Sequence, residues 1–200
     1  MIVKCDECGK FYWQQETDTF VVEVQSEYTD GREHFDVPRS PSFFHCANCG
    51  SVQPWDIVQK NAGNHGLGIL KIFLLPKVVP ASSRALLDSV DNKHLASHEQ
   101  QIRLEVWRLE NDPIRDKRDV DKPPPSQRPS WWFENLDRLS HFELDLVTRA
   151  EIYRERGDFS TACTILDGIA DTDVKAETIF TLACETNPHV RLVGNGRLAD

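Results

Sequence analysis

Hydrophobic positions change their period partway along the chain. Up to about residue 60 they come in short runs rich in aromatic and β-branched residues. These are Phe11-Tyr-Trp13, Thr19-Phe-Val-Val-Glu-Val24, His34-Phe-Asp-Val37, Phe43-Phe-His45 and Val52 to Val58, and each reads as a strand. Thr29-Asp-Gly31-Arg is a turn signal between two of them, and Pro38 to Pro41 is a break. From Pro80 the spacing becomes helical. Ser82 or Ser83 can N-cap a short helix through Val90, and Asp91 or Asn92 can open a longer one to about Asn111. Leu95, Ile102, Leu104, Val106, Trp107 and Leu109 recur along that second helix, and Asp112-Pro113 stops it. Ser130 is placed to cap a further helix, Trp131 to Leu139, and Val174 to Glu185 reads as another near the end.

The two periods predict an α+β chain in three parts. Residues 1–60 form a small β module. Residues 61–80 hold a Gly- and Asn-rich hinge, Asn61 to Gly68, and the most apolar stretch, Ile69 to Pro76, read as a buried strand or docking segment. Residues 81–200 are helical, interrupted by a charged and then proline-rich loop over 112–130, which suits an extended spacer.

Composition sharpens this picture in three ways. Forty per cent apolar residues, with five Trp and ten Phe, are enough for a core. No apolar run reaches the ~18 residues of a membrane-spanning helix. Met1-Ile-Val-Lys runs straight into a cysteine, so no signal peptide is expected, and a reducing, cytoplasmic location follows. The net charge is −9, distributed as −5 over residues 1–60, +2 over 61–130 and −6 over 131–200. Phosphate binding draws on clustered Lys and Arg, and neither end has a surplus. Nucleic acid is therefore an unfavoured partner and a basic protein a favoured one. Neither a membrane nor a small-molecule substrate is indicated.

Candidate chemistry centres on Cys5-Asp-Glu-Cys8-Gly9 and Cys46-Ala-Asn-Cys49-Gly50. Two CxxC turns, each followed by a glycine that accepts positive φ, deliver four thiolates in the arrangement that tetrahedral zinc takes. Cys5, Cys8, Cys46 and Cys49 are thus the expected ligands of one structural Zn²⁺ in a zinc ribbon. The 37 residues between Cys8 and Cys46 are long for a ribbon and must hold an extra hairpin or excursion. The aromatic residues of this module serve as the small core that such a ribbon needs beside its metal.

Four cysteines close the coordination shell, so His45 and His34 are not needed as ligands and no position stays open for a catalytic water. Neither knuckle precedes a helix, which argues against a redox CxxC. Cys163 and Cys184 read as buried, inert thiols on apolar helix faces. His94 and His98 lack the glutamate and third ligand of a helical metal site, and Gly63, Gly66 and Gly68 lack the Gly-Lys-Ser/Thr of a phosphate loop. No enzyme is expected.

The segment Ala150-Glu-Ile-Tyr153-Arg-Glu-Arg-Gly157-Asp-Phe159-Ser-Thr-Ala162-Cys-Thr-Ile-Leu166 resembles the middle of a tetratricopeptide repeat. Gly157 would end one helix and Asp158 start the next, with Ala150 and Ala162 letting the backbones approach. One copy is visible, and Val174 stands where that family places proline, so the resemblance implies a single helical hairpin. As a whole the chain resembles a group of uncharacterised bacterial proteins that join a cysteine-knuckle zinc ribbon to a helical tail. The likeness covers the knuckles and roughly residues 95–193, including Arg103 to Asp112 and Asn187-Pro-His-Val190. It implies the fold and no activity. The expected function is a non-catalytic protein-interaction factor, such as an immunity-type inhibitor of a basic protein. The alternative is a nucleic-acid-binding or transcription-associated ribbon, using Arg103, Arg108, Arg115, Lys117, Arg118, Lys122 and Arg128.

Overall fold

The computed structural model describes residues 2–13, 26–34, 42–56, 75–91, 95–115 and 127–193. The architecture is α+β. Among the described residues, seven short strands come first: β1 (Ile2–Lys4), β2 (Phe11–Trp13), β3 (Ser26–Tyr28), β4 (Glu33–His34), β5 (Phe43–His45), β6 (Val52–Pro54) and β7 (Val79–Pro80). Six α-helices of the described residues follow: α1 (Ser83–Ser89), α2 (Glu99–Asn111), α3 (Ser130–Ser140), α4 (Leu146–Glu155), α5 (Phe159–Leu166) and α6 (Val174–Cys184); β8 (Leu192–Val193) comes after them. None of these helices is long and apolar enough to cross a membrane.

Two compact units emerge, one of residues 1–22 with 37–105 and one of 23–36 with 106–200. This division departs from boundaries at 60 and 80. Composition changes along the chain, whereas strands pair across it.

In the first unit, β1 pairs with β2 in register Ile2↔Trp13, and β5 pairs with both β6 and β7. The segment before β7 joins the two hairpins. Its Pro76 carbonyl accepts from Trp13 N–H, Val78 N–H donates to the Trp13 carbonyl, and Val79-Pro80 continues along β5. Val3, Cys5, Tyr12, Phe44, Cys46 and Trp55 form the core, with Tyr12 edge-on to Phe44 at 4.9 Å. As expected, Ser82 caps α1 by accepting from Ala85 N–H, and α1 packs its buried Leu86 side toward β6. The expected strand 19–24, the hinge 61–68 and most of the apolar stretch 69–76 lie outside the described residues.

The second unit recruits the excursion between the knuckles. The turn at Thr29–Arg32 forms, with Gly31 at φ +75°, and β3 then pairs with β4 on one edge and β8 on the other. Arg191 N–H closes the match by donating to Thr29 Oγ1. Helix α3 buries Trp132, Asn135, Leu136 and Leu139, one face at helical spacing. Ser130 is its first residue rather than its cap: Pro129 takes the cap position, and no side chain caps the helix.

Helices α4 and α5 form an antiparallel hairpin. Gly157, at φ +88°, donates to the Arg154 carbonyl while Asp158 N–H donates to Tyr153, which is a Schellman stop. The Asp158 carboxylate then caps α5 through Thr161 N–H. Ala150, Leu166, Ala176 and Ile179, from α4, α5 and α6, make the apolar centre where the three helices pack together.

Beside that centre lies a buried polar network. Arg154 and Glu151 are both fully buried, paired through two 2.6 Å hydrogen bonds, and Arg154 also donates to the Asn187 and His189 carbonyls. Removing one partner would strand a buried charge, which costs about 3–5 kcal/mol. Asn111 is equally enclosed. Its amide donates to Asp30 and to Glu155, and its oxygen accepts from Arg128. Asp30 in turn receives both ends of the Arg115 guanidinium, so the β3–β4 turn is held by ions as well as by strand pairing.

Burial first, then the negative charge of Glu151, pushes the Glu155 carboxyl up to about 8. A carboxyl raised in the fold contributes stability that is fully present below its unfolded value near 4.5 and is lost as pH rises through 8. Glu155→Gln, which mimics the neutral form, is therefore expected to flatten the pH dependence. Urea unfolding at pH 5 and pH 8 checks this, and a variant whose stability falls as steeply as the parent's would refute it.

Candidate metal centre

Each CxxC turn sits at the tip of a hairpin, between β1 and β2 or between β5 and β6. The two turns are built alike. Cys5 N–H donates to Lys10 and Gly9 N–H to Cys5, at 2.8 Å each; Cys46 N–H donates to Ser51 at 2.9 Å and Gly50 N–H to Cys46 at 2.8 Å. Gly9 and Gly50 have φ of +71° and +76°, where a side chain would be strained. The amides of Glu7 and Cys8 point at Cys5 sulfur, and those of Asn48 and Cys49 at Cys46 sulfur.

The hairpins bring all four sulfurs together. Cys5 and Cys49 Sγ are 3.8 Å apart and Cys8 and Cys46 Sγ 3.6 Å apart, with all four within 4.8 Å of one another. A tetrahedron with ~2.3 Å metal–sulfur bonds has edges of about 3.8 Å, whereas a disulfide needs about 2.05 Å. The donors therefore fit a single four-coordinate ion, as the spacing of the knuckles predicts, and the module is zinc-ribbon-like. Cys5 and Cys46 are buried while Cys8 and Cys49 are exposed. No other group of three or more metal-ligating side chains occurs among the described residues, and His45 and His98 stand outside this one. The side chain of His34 and all of His94 lie outside the described residues.

Around the sulfurs runs a reciprocal brace. Tyr12 Oη meets Cys46 Sγ at 3.1 Å and accepts from Asn48 N–H. Gln53 Nε2 donates to Cys5 Sγ at 3.5 Å, and its oxygen accepts from Asp6 N–H. Tyr12 and Gln53 each stand seven residues after the first cysteine of their own knuckle, and each reaches the first cysteine of the other. Ser51 adds contacts to Cys5 and Cys49.

This environment splits the two buried thiols. Burial pushes Cys5 up to about 11. At Cys46 burial acts in the same direction, but the Tyr12 hydroxyl and the Cys49 and Asn48 amides outweigh it and pull the thiol down to about 6. Cys46 is thus a ready anion at neutral pH, while Cys5 gives up its proton only to a cation, so metal uptake must release protons. Tyr12 is itself pushed up to about 12 by burial and by Cys46, and stays a neutral donor.

Sequence reading found the four cysteines and missed Tyr12, Gln53 and Ser51. As one of the module's aromatic residues Tyr12 reads as core, which it also is. The signal was the matched position of Tyr12 and Gln53 in the two halves, meaningful only once the halves face one another.

Cys163 and Cys184 are not members of this group, and the structure corrects their expected burial: Cys163 is half-buried and Cys184 exposed. The glycines 63–68 are outside the described residues. No family model, curated protein or solved structure matches the chain.

Two substitutions separate ligand from brace. Cys5→Ser is expected to abolish tight metal binding and unfold the N-terminal unit. Tyr12→Phe keeps the ring on Phe44 but removes the hydroxyl, and should weaken metal binding about 10–100-fold. Competition against a chromophoric chelator measures both, and an unchanged affinity in Tyr12→Phe would remove the hydroxyl from the metal site.

Proposed function

We propose that this chain is a non-catalytic, zinc-binding protein that acts by capturing a protein partner. The carrying observation is the closed, braced set of four thiols. Four cysteine ligands satisfy tetrahedral zinc and leave no position for water or substrate, so the ion's task is to cross-link two hairpins. Thiolate-only sets also suit iron, and zinc is favoured because such closed sites are most often structural zinc sites.

Among the described residues, the surroundings of the knuckles support the same reading. An open recess of about 430 Å³ lies beside the knuckles, lined by Phe11, Tyr12, Ala47, Leu75 and Pro76 with Lys10 and Asn48. Its phenol is engaged with Cys46 and its backbone neighbours, which leaves no base paired to a nucleophile there.

Charge indicates the kind of partner. With both terminal segments acidic, and with four thiolates around a divalent ion deepening the net −9 by two, a basic protein is favoured. An immunity-type inhibitor of a basic toxin is the concrete form, and the tetratricopeptide-like hairpin α4–α5 suits a protein-binding role. Of the basic residues that would serve nucleic acid, Lys117, Arg118 and Lys122 lie outside the described residues, and the four described arginines are occupied. Arg103 pairs with Glu99, Arg108 donates to the Asp30 carbonyl, and Arg115 pairs with Asp30 and Asp112. Arg128 donates to Glu110 and Asn111 and stacks on Trp132.

Native mass spectrometry of the protein purified from its own source cells tests the proposal. One zinc ion and a basic companion protein, released faster as salt rises, is the expected result. Iron in place of zinc, or retardation of DNA or RNA at low salt without any protein companion, would overturn the zinc or the partner part respectively.

A further inference from the structure

We propose that Cys163 and Cys184 form a reversible dithiol–disulfide pair that staples α5 to α6, separate from the metal centre. Their sulfurs face each other at 3.9 Å across 21 residues of sequence. Neither is sealed in the core, since Cys163 is half-buried and Cys184 exposed. The helices carrying them pack against one another and are each started by an aspartate cap, Asp158 and Asp173. The pair is therefore presented by two fixed elements rather than by loops. No third metal-ligating group joins them among the described residues, so a metal clip is not the role of this pair.

A disulfide needs its sulfurs at about 2.05 Å, a closure of roughly 2 Å from the separation seen here. The oxidant assigned is a small-molecule disulfide of the glutathione class. Cys184, the accessible thiol, loses its proton and attacks one sulfur of that disulfide. A Cys184–S–S–R bond forms, and one RS⁻ leaves and is protonated. Cys163 then loses its proton and attacks the Cys184 sulfur, forming the Cys163–Cys184 bond and expelling the second RS⁻. Two protein thiols have been oxidised, and one external disulfide has been reduced to two thiols. Burial beside Cys184 raises the Cys163 thiol, which makes it a poor first attacker and leaves it the resolving role.

The staple would act on the end of α6. Residues 187 and 189, just beyond Cys184, offer the carbonyls that receive Arg154, and β8 follows at once. Cross-linking Cys184 thus stiffens the stretch that leads to the buried ion pair and the β3–β8 edge.

Full-length, zinc-loaded protein equilibrated with reduced and oxidised glutathione, quenched by alkylation and mapped by peptide mass spectrometry, tests this. A Cys163–Cys184 cross-linked peptide with zinc retained is expected, as is a higher thermal midpoint than that of the reduced protein. In Cys163→Ser the mixed disulfide on Cys184 should accumulate, because its resolving thiol is gone. The exposed Cys184→Ser should take up no glutathione at position 163 and form no cross-link. A parent protein that ends with glutathione on Cys184 and free Cys163, or with both thiols alkylated under the oxidising buffer, would overturn the proposal.

Discussion

Four thiolates within 4.8 Å of one another are an unstable arrangement without a cation between them. Two unit charges at about 4 Å repel by roughly 4 kcal/mol near a protein surface, and four charges make six such pairs. In the N-terminal unit, among the described residues, the cluster packed around the sulfurs is six buried residues, two of which are the cysteines themselves. The unit's strands are two or three residues long, so strand pairing alone would not hold them. A metal ion held by the four cysteines would therefore couple its binding to the folding of this unit. The crossed contacts of Tyr12 and Gln53 make that event cooperative, because each hairpin carries the donor that orients a sulfur of the other.

The second unit solves a different problem. Its helices carry charge on faces that turn inward, and it buries Arg154, Glu151, Glu155, Asp30 and Asn111 rather than replacing them with apolar side chains. Such a network gives little net stability, because desolvation cancels much of the attraction. What it supplies is selectivity of arrangement. Asn111 has one oxygen and two amide hydrogens, and the three are matched by Arg128, Asp30 and Glu155. A hairpin docked one register away would leave those groups unpaired, at a cost of about 1–3 kcal/mol each.

How much of this was legible in the sequence depends on the range of the cause. Local causes read well. The knuckle glycines, the Thr29–Arg32 turn, the Ser82 cap, the Asp112-Pro113 stop and the Gly157-Asp158 reversal each act within four or five residues. Long-range causes did not. Nothing near Ser26–Tyr28 announces a partner at Leu192–Val193, which moves the excursion out of the β module and into the helical unit. Charged positions give no local sign of burial either. A periodicity search scores Glu151, Arg154 and Glu155 as solvent-facing, and only their remote partners make burial tolerable. Ser130 shows the limit of local signals too, since Pro129 took the cap position one residue earlier.

Two sets of cysteines, four at the knuckles and two between α5 and α6, are built from the same side chain and given opposite chemistry. At the knuckles, backbone amides, the Tyr12 hydroxyl and Gln53 converge on the sulfurs, so the set favours anions bound to a cation. Between α5 and α6 no such donors are arrayed. Burial raises the Cys163 thiol, and its near neighbour is another sulfur. Thiolates committed to a metal are poor targets for disulfide exchange, while a free thiol at the surface is open to it. An oxidising change would therefore reach the helical unit first and leave the metal-held unit folded. The separation of cysteines into a donor-rich and a donor-poor setting is what lets one chain carry a permanent cross-link and a reversible one.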